Sequence, residues 1–330
     1  MPASESQVVL LTGGLGGARL APSLRDALGP GRLTIVANVG DDLTWHGLRV
    51  CPDLDSVTYS LAGLWDAQRG WGLKDETFRV RDALAGLHEP TWFNVGDRDL
   101  ALHLLRTERL RAGRRLAQTT QELSRRLGVV DVEVLPASDE PSETRVLLED
   151  GRLLHFQQWY VGERAKPELR EVRLAGGTAS EAAVQAIGEA GLLILGPSNP
   201  VTSIGAILAL EGTREAISKT PLRVAVSPVV VGVESENPGV LHHALARRRS
   251  LATVGCTDEP GEISARYAGL VEHFLVDYAD AGYEKEVIRN ELEPIRADLL
   301  DSSALAKALV VGGEAGVGLE DHLDLHLVLA

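Results

Sequence analysis

The chain has 330 residues, 44% of them hydrophobic, enough to bury one large core or two smaller ones. Its formal charge of −14 and pI near 5.1 disfavour a nucleic-acid backbone or an anionic membrane as partner, although helix N-termini, arginines or a metal still hold phosphate locally. No run approaches roughly 18 consecutive apolar residues, the opening MPASESQ is polar, and Cys51 and Cys256 match no zinc or redox spacing, so a soluble cytoplasmic protein is expected.

Along the chain, Val8 to Leu11 reads as a short strand buried in a parallel sheet, followed by the turn Thr12-Gly13-Gly14-Leu15-Gly16-Gly17. Ala18, Ala21, Leu24 and Leu28 then recur at helical spacing. Leu33 to Val39 reads as a second strand ending in the turn Gly40-Asp41-Asp42, and further strands are expected at Thr91 to Val95, Leu192 to Leu195, Arg223 to Ser227 and Phe274 to Val276. Helical patterns between them predict an α/β fold, a Rossmann-like doubly wound and mostly parallel sheet. Short apolar runs between Val129 and Gln158, broken by Pro136, Pro141 and the Asp150-Gly151 turn, predict an antiparallel excursion at about 129–160. The arginine-rich stretch Arg98 to Arg126 reads as helical, with most of its arginines on a solvated face. No linker or internal repeat divides the chain, so 1–330 is read as one domain, in which the stretches before Pro238 and from Arg247 to Arg249 carry the weakest pattern.

Three features carry chemistry. The glycine turn joins a strand to a helix, which suits either contact with phosphate or tight packing; position 19 is Arg19 and the second strand closes at Asn38, so the dinucleotide fingerprint fits badly. Asp41-Asp42, Asp53 and Asp55 of Pro52-Asp53-Leu54-Asp55-Ser56, and Asp97 and Asp99 lie on turns that a parallel sheet gathers at its carboxyl edge. Such carboxylates hold a hard cation or accept a hydroxyl proton, or else cap the following helices. The loop Gly196-Pro197-Ser198-Asn199-Pro200-Val201-Thr202-Ser203 offers donors on a stiff backbone, for a phosphate or nucleobase or as a structural turn. Trp45, Trp71, Trp92 and Trp159 suit a flat heteroaromatic ligand or the core, and His46 and His103 lie near the acidic turns.

Taken in order, LTGGLGGARL, ANVGDDLTWHGLRVCPDLDSVTY, WGLKDETF, WFNVGDRDLALHLLRT, LPASDEPSETRV, HFQQWYVGER, GPSNPVTSIGAIL and VAVSPVVVG resemble the 2-phospho-L-lactate transferase family of deazaflavin-coenzyme biosynthesis, over about residues 10 to 232. The resemblance implies a Mg²⁺-dependent homodimer. Its donor would be a guanosine-diphosphate-linked phospholactate or phosphoenolpyruvate, its acceptor the terminal ribityl hydroxyl of 7,8-didemethyl-8-hydroxy-5-deazariboflavin, and GMP would leave. By position it implies that Asp55 anchors or activates the acceptor hydroxyl, that Asp42 and Asp53 surround the metal with Asp42 close to catalysis, and that Asn94, with Trp45, His46 and Ser56, meets the acceptor. Gly13, Gly14, Gly16, Gly17, Ser198, Asn199 and Pro200 would hold the nucleotide. After SPVVVG this chain reads VESENPGV and, apart from FLVD ending at Asp277, residues 234–330 match poorly, which leaves the donor acid open. A non-catalytic nucleotide-metabolite regulator of related fold is the competing expectation; a nicotinamide dehydrogenase rests on the glycine turn alone.

Overall fold

A computed structural model of the chain describes residues 7–233 and 238–314. In chain order its first half contains β1 (Val8–Thr12), α1 (Gly14–Leu28), β2 (Leu33–Ala37), β3 (Leu43–Trp45), β4 (Leu48–Val50), α2 (Pro52–Leu61), α3 (Arg79–Gly86), α4 (Asp97–Arg111), α5 (Leu116–Arg126), β5 (Val132–Pro136), β6 (Arg145–Leu148) and β7 (Leu153–His155). The second half contains β8 (Leu169–Arg173), α6 (Glu181–Glu189), β9 (Leu192–Leu195), α7 (Ile204–Leu208), α8 (Thr213–Lys219), β10 (Leu222–Val226), α9 (Pro238–Ala252), α10 (Pro260–Ser264), β11 (His273–Asp277), α11 (Glu284–Arg289), β12 (Glu293–Ala297) and α12 (Ser302–Glu314).

Seven strands form one sheet in the order β12-β11-β10-β9-β1-β2-β5, with every neighbouring pair parallel. Helices cover both faces, so β1, β2 and β9 are buried at every residue, which is why they read as unbroken apolar runs. Strand order reverses between β1 and β9, and in such sheets the crevice beyond the carboxyl ends at that point receives ligands. Here that edge consists of Thr12-Gly13, Asn38 and Gly196-Pro197-Ser198. Among the described residues no helix is long and apolar enough to cross a membrane.

Among the described residues there are also two small antiparallel sheets. β3 and β4 are joined by His46-Gly47, whose φ values of 47° and 77° give the tight turn that a twisted two-residue hairpin requires. β6, β7 and β8 form the expected antiparallel excursion, with Gly151 turning at φ 89°. Its boundary differs from expectation: Val132–Pro136 is the edge strand of the parallel sheet, and β8 supplies the third antiparallel strand. Thr91 to Val95 forms no strand, because its Trp92 and Phe93 rings pack against Trp45 at centroid distances of 4.7 and 6.1 Å and the sheet edge is filled by β5. The Arg98 to Arg126 stretch is two helices, α4 and α5. Arg247 to Arg249 lie in α9, while residues 234–237, where the sequence departs from the family pattern, fall outside the described residues.

The glycine turn brings α1 against two other segments. A Cβ on Gly14 would stand 2.6 Å from Asp53 Oδ1, and one on Gly16 would overlap the Pro197 carbonyl oxygen. Gly16→Ala is therefore expected to lower the unfolding free energy by about 1–3 kcal/mol in chemical denaturation. Gly86→Ala, at an exposed helical site with nothing within 4 Å, should instead stabilise by up to about 1 kcal/mol.

Candidate active site

The crevice is organised around Asn38, the residue after β2, whose own N–H donates to the Thr12 carbonyl at 2.9 Å. Its Oδ1 accepts from Gly40 N–H at 2.8 Å, folding the Gly40-Asp41-Asp42 turn. Its Nδ2 donates to Asp41 Oδ1 at 3.1 Å, to Asp53 Oδ2 at 2.9 Å and, more weakly, to the Thr202 carbonyl at 3.4 Å. One buried amide thus joins the turn after β2, the first turn of α2 and the loop after β9. Gln157, beyond β7, donates to the other Asp41 oxygen at 2.8 Å, and the Gly14 N–H at the start of α1 donates to Asp53.

Asp41, Asp42 and Asp53 are all buried. Burial, then the Asp53 charge, lifts the Asp41 carboxyl well above the usual carboxylate range. Burial likewise lifts Asp53 to about 7, against the hydrogen bond from Asn38 and with the Asp42 charge adding to it. It lifts Asp42 to about 6 despite Arg49, whose Nη2 stands 2.8 Å from Asp42 Oδ2 because the β3–β4 hairpin folds Arg49 back onto that turn. Asp42 Oδ1 is buried without a hydrogen-bond partner.

Asp55 has a different environment. It lies in α2, and Arg106 of α4 donates to both of its oxygens, with Nη1 to Oδ2 at 3.1 Å. Arg106 is buried, unlike most arginines of its stretch, and its Nη1 also lies 3.2 Å from His103 Nδ1. His103 Nε2 is 3.2 Å from Asp99 Oδ1, to which the Tyr59 hydroxyl donates. Asp99, His103 and Arg106 stand at i, i+4 and i+7 on one face of α4. Asp55 is thus a carboxylate held in place by a buried guanidinium.

The remaining sequence-predicted residues are engaged within the fold. Ser198 Oγ accepts from Gly13 N–H at 3.0 Å and lies 2.9 Å from Thr12 Oγ1, while Asn199 Oδ1 accepts from Val201 and Thr202 N–H at 2.9 and 3.2 Å, so these side chains build the turn that also contains Pro200. Gly17 is packed against Thr12 in the same way that Gly13 is against Ser203. Ser56 donates to the Pro52 carbonyl at 2.8 Å. Trp45 packs with His46, Trp92 and Phe93, His46 Nε2 is 2.9 Å from the Pro90 carbonyl, and Asn94 Oδ1 accepts from Arg81 at 3.1 Å. Asn38, Arg49, Arg106 and Gln157 are the polar groups whose roles sequence reasoning missed. The spacing of Arg106 with His103 and Asp99 was the one available signal.

The donor set suits a hard divalent cation. Asp41, Asp42 and Asp53 present only carboxylate oxygens, they oppose one another's ionisation, and Asp42 Oδ1 has a lone pair to spare. They are set more widely than Asp55, Asp99 and His103, the group of three among the described residues whose ligand atoms all lie within 4.8 Å of one another. There, however, the Arg106 guanidinium and the Tyr59 hydroxyl already engage the oxygens, and a cation would stand against a positive charge.

Two measurements follow from these environments. Arg106→Met leaves a buried carboxylate without its partner and should cost about 3–5 kcal/mol of stability, most of it recovered in Arg106→Met/Asp55→Leu, as denaturant unfolding would report. Asp53 has a folded-state pKa raised from 3.8 to about 7, so the stability it contributes is present below about pH 4 and lost as pH rises through 7. With a chelator present, Asp53→Asn should therefore gain in melting temperature relative to the wild type between pH 5 and pH 8, and a constant difference would contradict the assignment.

A family model described as "2-phospho-L-lactate transferase CofD" matches residues 8–311. A protein of Streptomyces griseus named phosphoenolpyruvate transferase is 38% identical over 310 residues, covering 90% of this chain and 95% of the relative. Proteins of the same name from Thermobifida fusca and Mycolicibacterium smegmatis are 39% and 43% identical, covering 83% and 68% of this chain and 87% and 75% of the relatives. A crystal structure of a UPF0052 family member from Bacillus halodurans has the same fold, with a TM-score of 0.58 over 93% of this chain and 99% of that one at 17% identity. The buried carboxylate crevice at the β1–β9 switch point thus lies in a transferase of a phosphorus-containing group, and the chain belongs to the 2-phospho-L-lactate transferase family.

Proposed function

We propose that the protein transfers a phosphoenolpyruvyl group from a guanosine-diphosphate-linked donor to the terminal ribityl hydroxyl of a deazaflavin, releasing GMP. The observation that carries this reading is the set of buried, mutually opposed carboxylates beside the N-terminus of α1. The name shared by the relatives supports phosphoenolpyruvate over phospholactate as the acid.

In this reading the acceptor oxygen forms a bond to the phosphorus that carries the three-carbon acid, and the bond from that phosphorus to the GMP oxygen breaks. Such a transfer needs charge neutralisation and in-line positioning more than covalent catalysis. Asp42 and Asp53, with Asp41 beside them, would hold Mg²⁺, which neutralises charge on the donor phosphates when bound. The helix dipole of α1 favours phosphate at the same place, and its glycines let the backbone approach closely. Asp55 takes the acceptor hydroxyl as a hydrogen-bond acceptor, with Arg106 fixing the direction of its carboxylate, and the hydroxyl proton passes to it as the bond forms. Trp45 and Trp92 offer the apolar faces a flat deazaflavin needs, with Asn94 and His46 at their edge.

Incubating the protein with Mg²⁺, the deazaflavin alcohol and an equimolar mixture of guanylylated phosphoenolpyruvate, phospholactate and phosphoglycerate should give one dominant product, identified by mass spectrometry as the phosphoenolpyruvyl adduct. A dominant phospholactyl adduct would overturn the donor assignment while keeping the transferase. Unchanged deazaflavin with all three donors would favour a nucleotide-binding regulator.

A further inference from the structure

The segment after β7 makes three separate connections within six residues. His155 Nε2 lies 3.1 Å from the Asp42 carbonyl, Gln157 donates to Asp41 Oδ2 at 2.8 Å, and Tyr160 turns the other way, onto α9. Gln158–Gly162 is wound as a wide π-helical turn, a geometry that recurs at functional sites because it re-aims side chains. The Tyr160 hydroxyl lies 2.7 Å from His243 Nδ1, and the Tyr160 carbonyl accepts from His242 Nε2 at 2.8 Å. The Tyr160 ring is stacked between Phe156 at 5.5 Å and His242 at 4.3 Å.

α9 is itself held in place. Ala246 is buried in the apolar cluster of the three-stranded sheet, Arg249 pairs with Glu168, and Arg247 Nε is 2.6 Å from Asp258 Oδ1. A fixed helix thus grips the far end of the turn whose near end holds Asp41. The Tyr160 phenol is also close enough to Asp41 and Asp53 to feel their charges.

We propose that Tyr160 and His243 are positioning residues for the carboxylate centre: their hydrogen bond locks the π-helical turn so that Gln157 holds Asp41 in register with Asp53. The inference rests on the reading of Asp41, Asp42 and Asp53 as a cation centre. His243 lies in α9, so the helix acts on the centre from a segment that follows the motifs singled out in the sequence. Neither residue takes part in bond making. Loss of either partner frees the same turn, so their effects on the centre overlap instead of adding.

The test uses Mn²⁺ as probe, with its binding to the full chain followed by electron paramagnetic resonance and without any substrate. Tyr160→Phe, which keeps the stacked ring, and His243→Ala should each weaken Mn²⁺ binding about fivefold, and the double variant should be no weaker than either. His243→Gln, which retains a side chain able to bond the phenol, should restore affinity to within about twofold of the wild type. Circular dichroism confirms folding, and Tyr160→Phe serves if the alanine variant fails to fold. Unchanged Mn²⁺ affinity in Tyr160→Phe, or additive losses in the double variant, would overturn the coupling while leaving the cation centre intact. A wild-type protein that binds no Mn²⁺ would overturn the centre and the coupling together.

Discussion

One side-chain amide holds the crevice together. Asn38 is the last residue to pair with β1, and from there it reaches the turn that follows it, the start of α2 and the loop after β9. These segments come from three distant parts of the chain. An Asp at position 38 would add a fourth negative charge to the group and remove the donors that bridge Asp41 and Asp53. A nicotinamide-binding sheet presents an acid at this position for a ribose, and this chain presents an amide for its own acids.

That bridge counters a real electrostatic difficulty. Three carboxylates that are buried together resist ionisation, and the protein leaves that resistance largely uncompensated: Arg49 reaches Asp42, but Asp41 and Asp53 receive only neutral donors. The Arg106–Asp55 pair nearby shows the opposite solution, a guanidinium engaging both oxygens. Within one helical turn of α2, then, one acid has its direction fixed by a guanidinium and the other keeps its charge uncompensated, ready for an external cation.

The fold was legible where physics is local. β1, β9, β10 and β11 announce themselves as short apolar runs because both faces of the sheet are covered, and Asp150-Gly151 marks its hairpin through backbone preference alone. Thr91 to Val95 looks like a strand by composition, yet its aromatics find Trp45, a partner 46 positions earlier than Thr91 that no window could reveal. The acidic turns stood out for their number and placement. Which acid meets Arg106 and which meets Asn38 depends on contacts across 51 and 15 residues, and Gln157 and Tyr160 carry no chemical signature until the chain returns to Asp41. The bland reading also has its share: Ser198 and Asn199 bind their own backbone surroundings, as turn-forming side chains do.

The pairing of β1 with β9, Val8 beside Leu192, sets a timetable for synthesis on the ribosome. β1, β2 and β5 lie side by side and are complete once Pro136 has been made, but the inner edge of β1 stays without its neighbour until Leu195 emerges. At usual elongation rates the nascent sheet therefore presents an unpaired apolar strand for roughly 3–12 s between those two points. An open edge of that kind is a template for pairing between chains on neighbouring ribosomes, which makes an inner strand of the finished sheet the most exposed liability of the unfinished one.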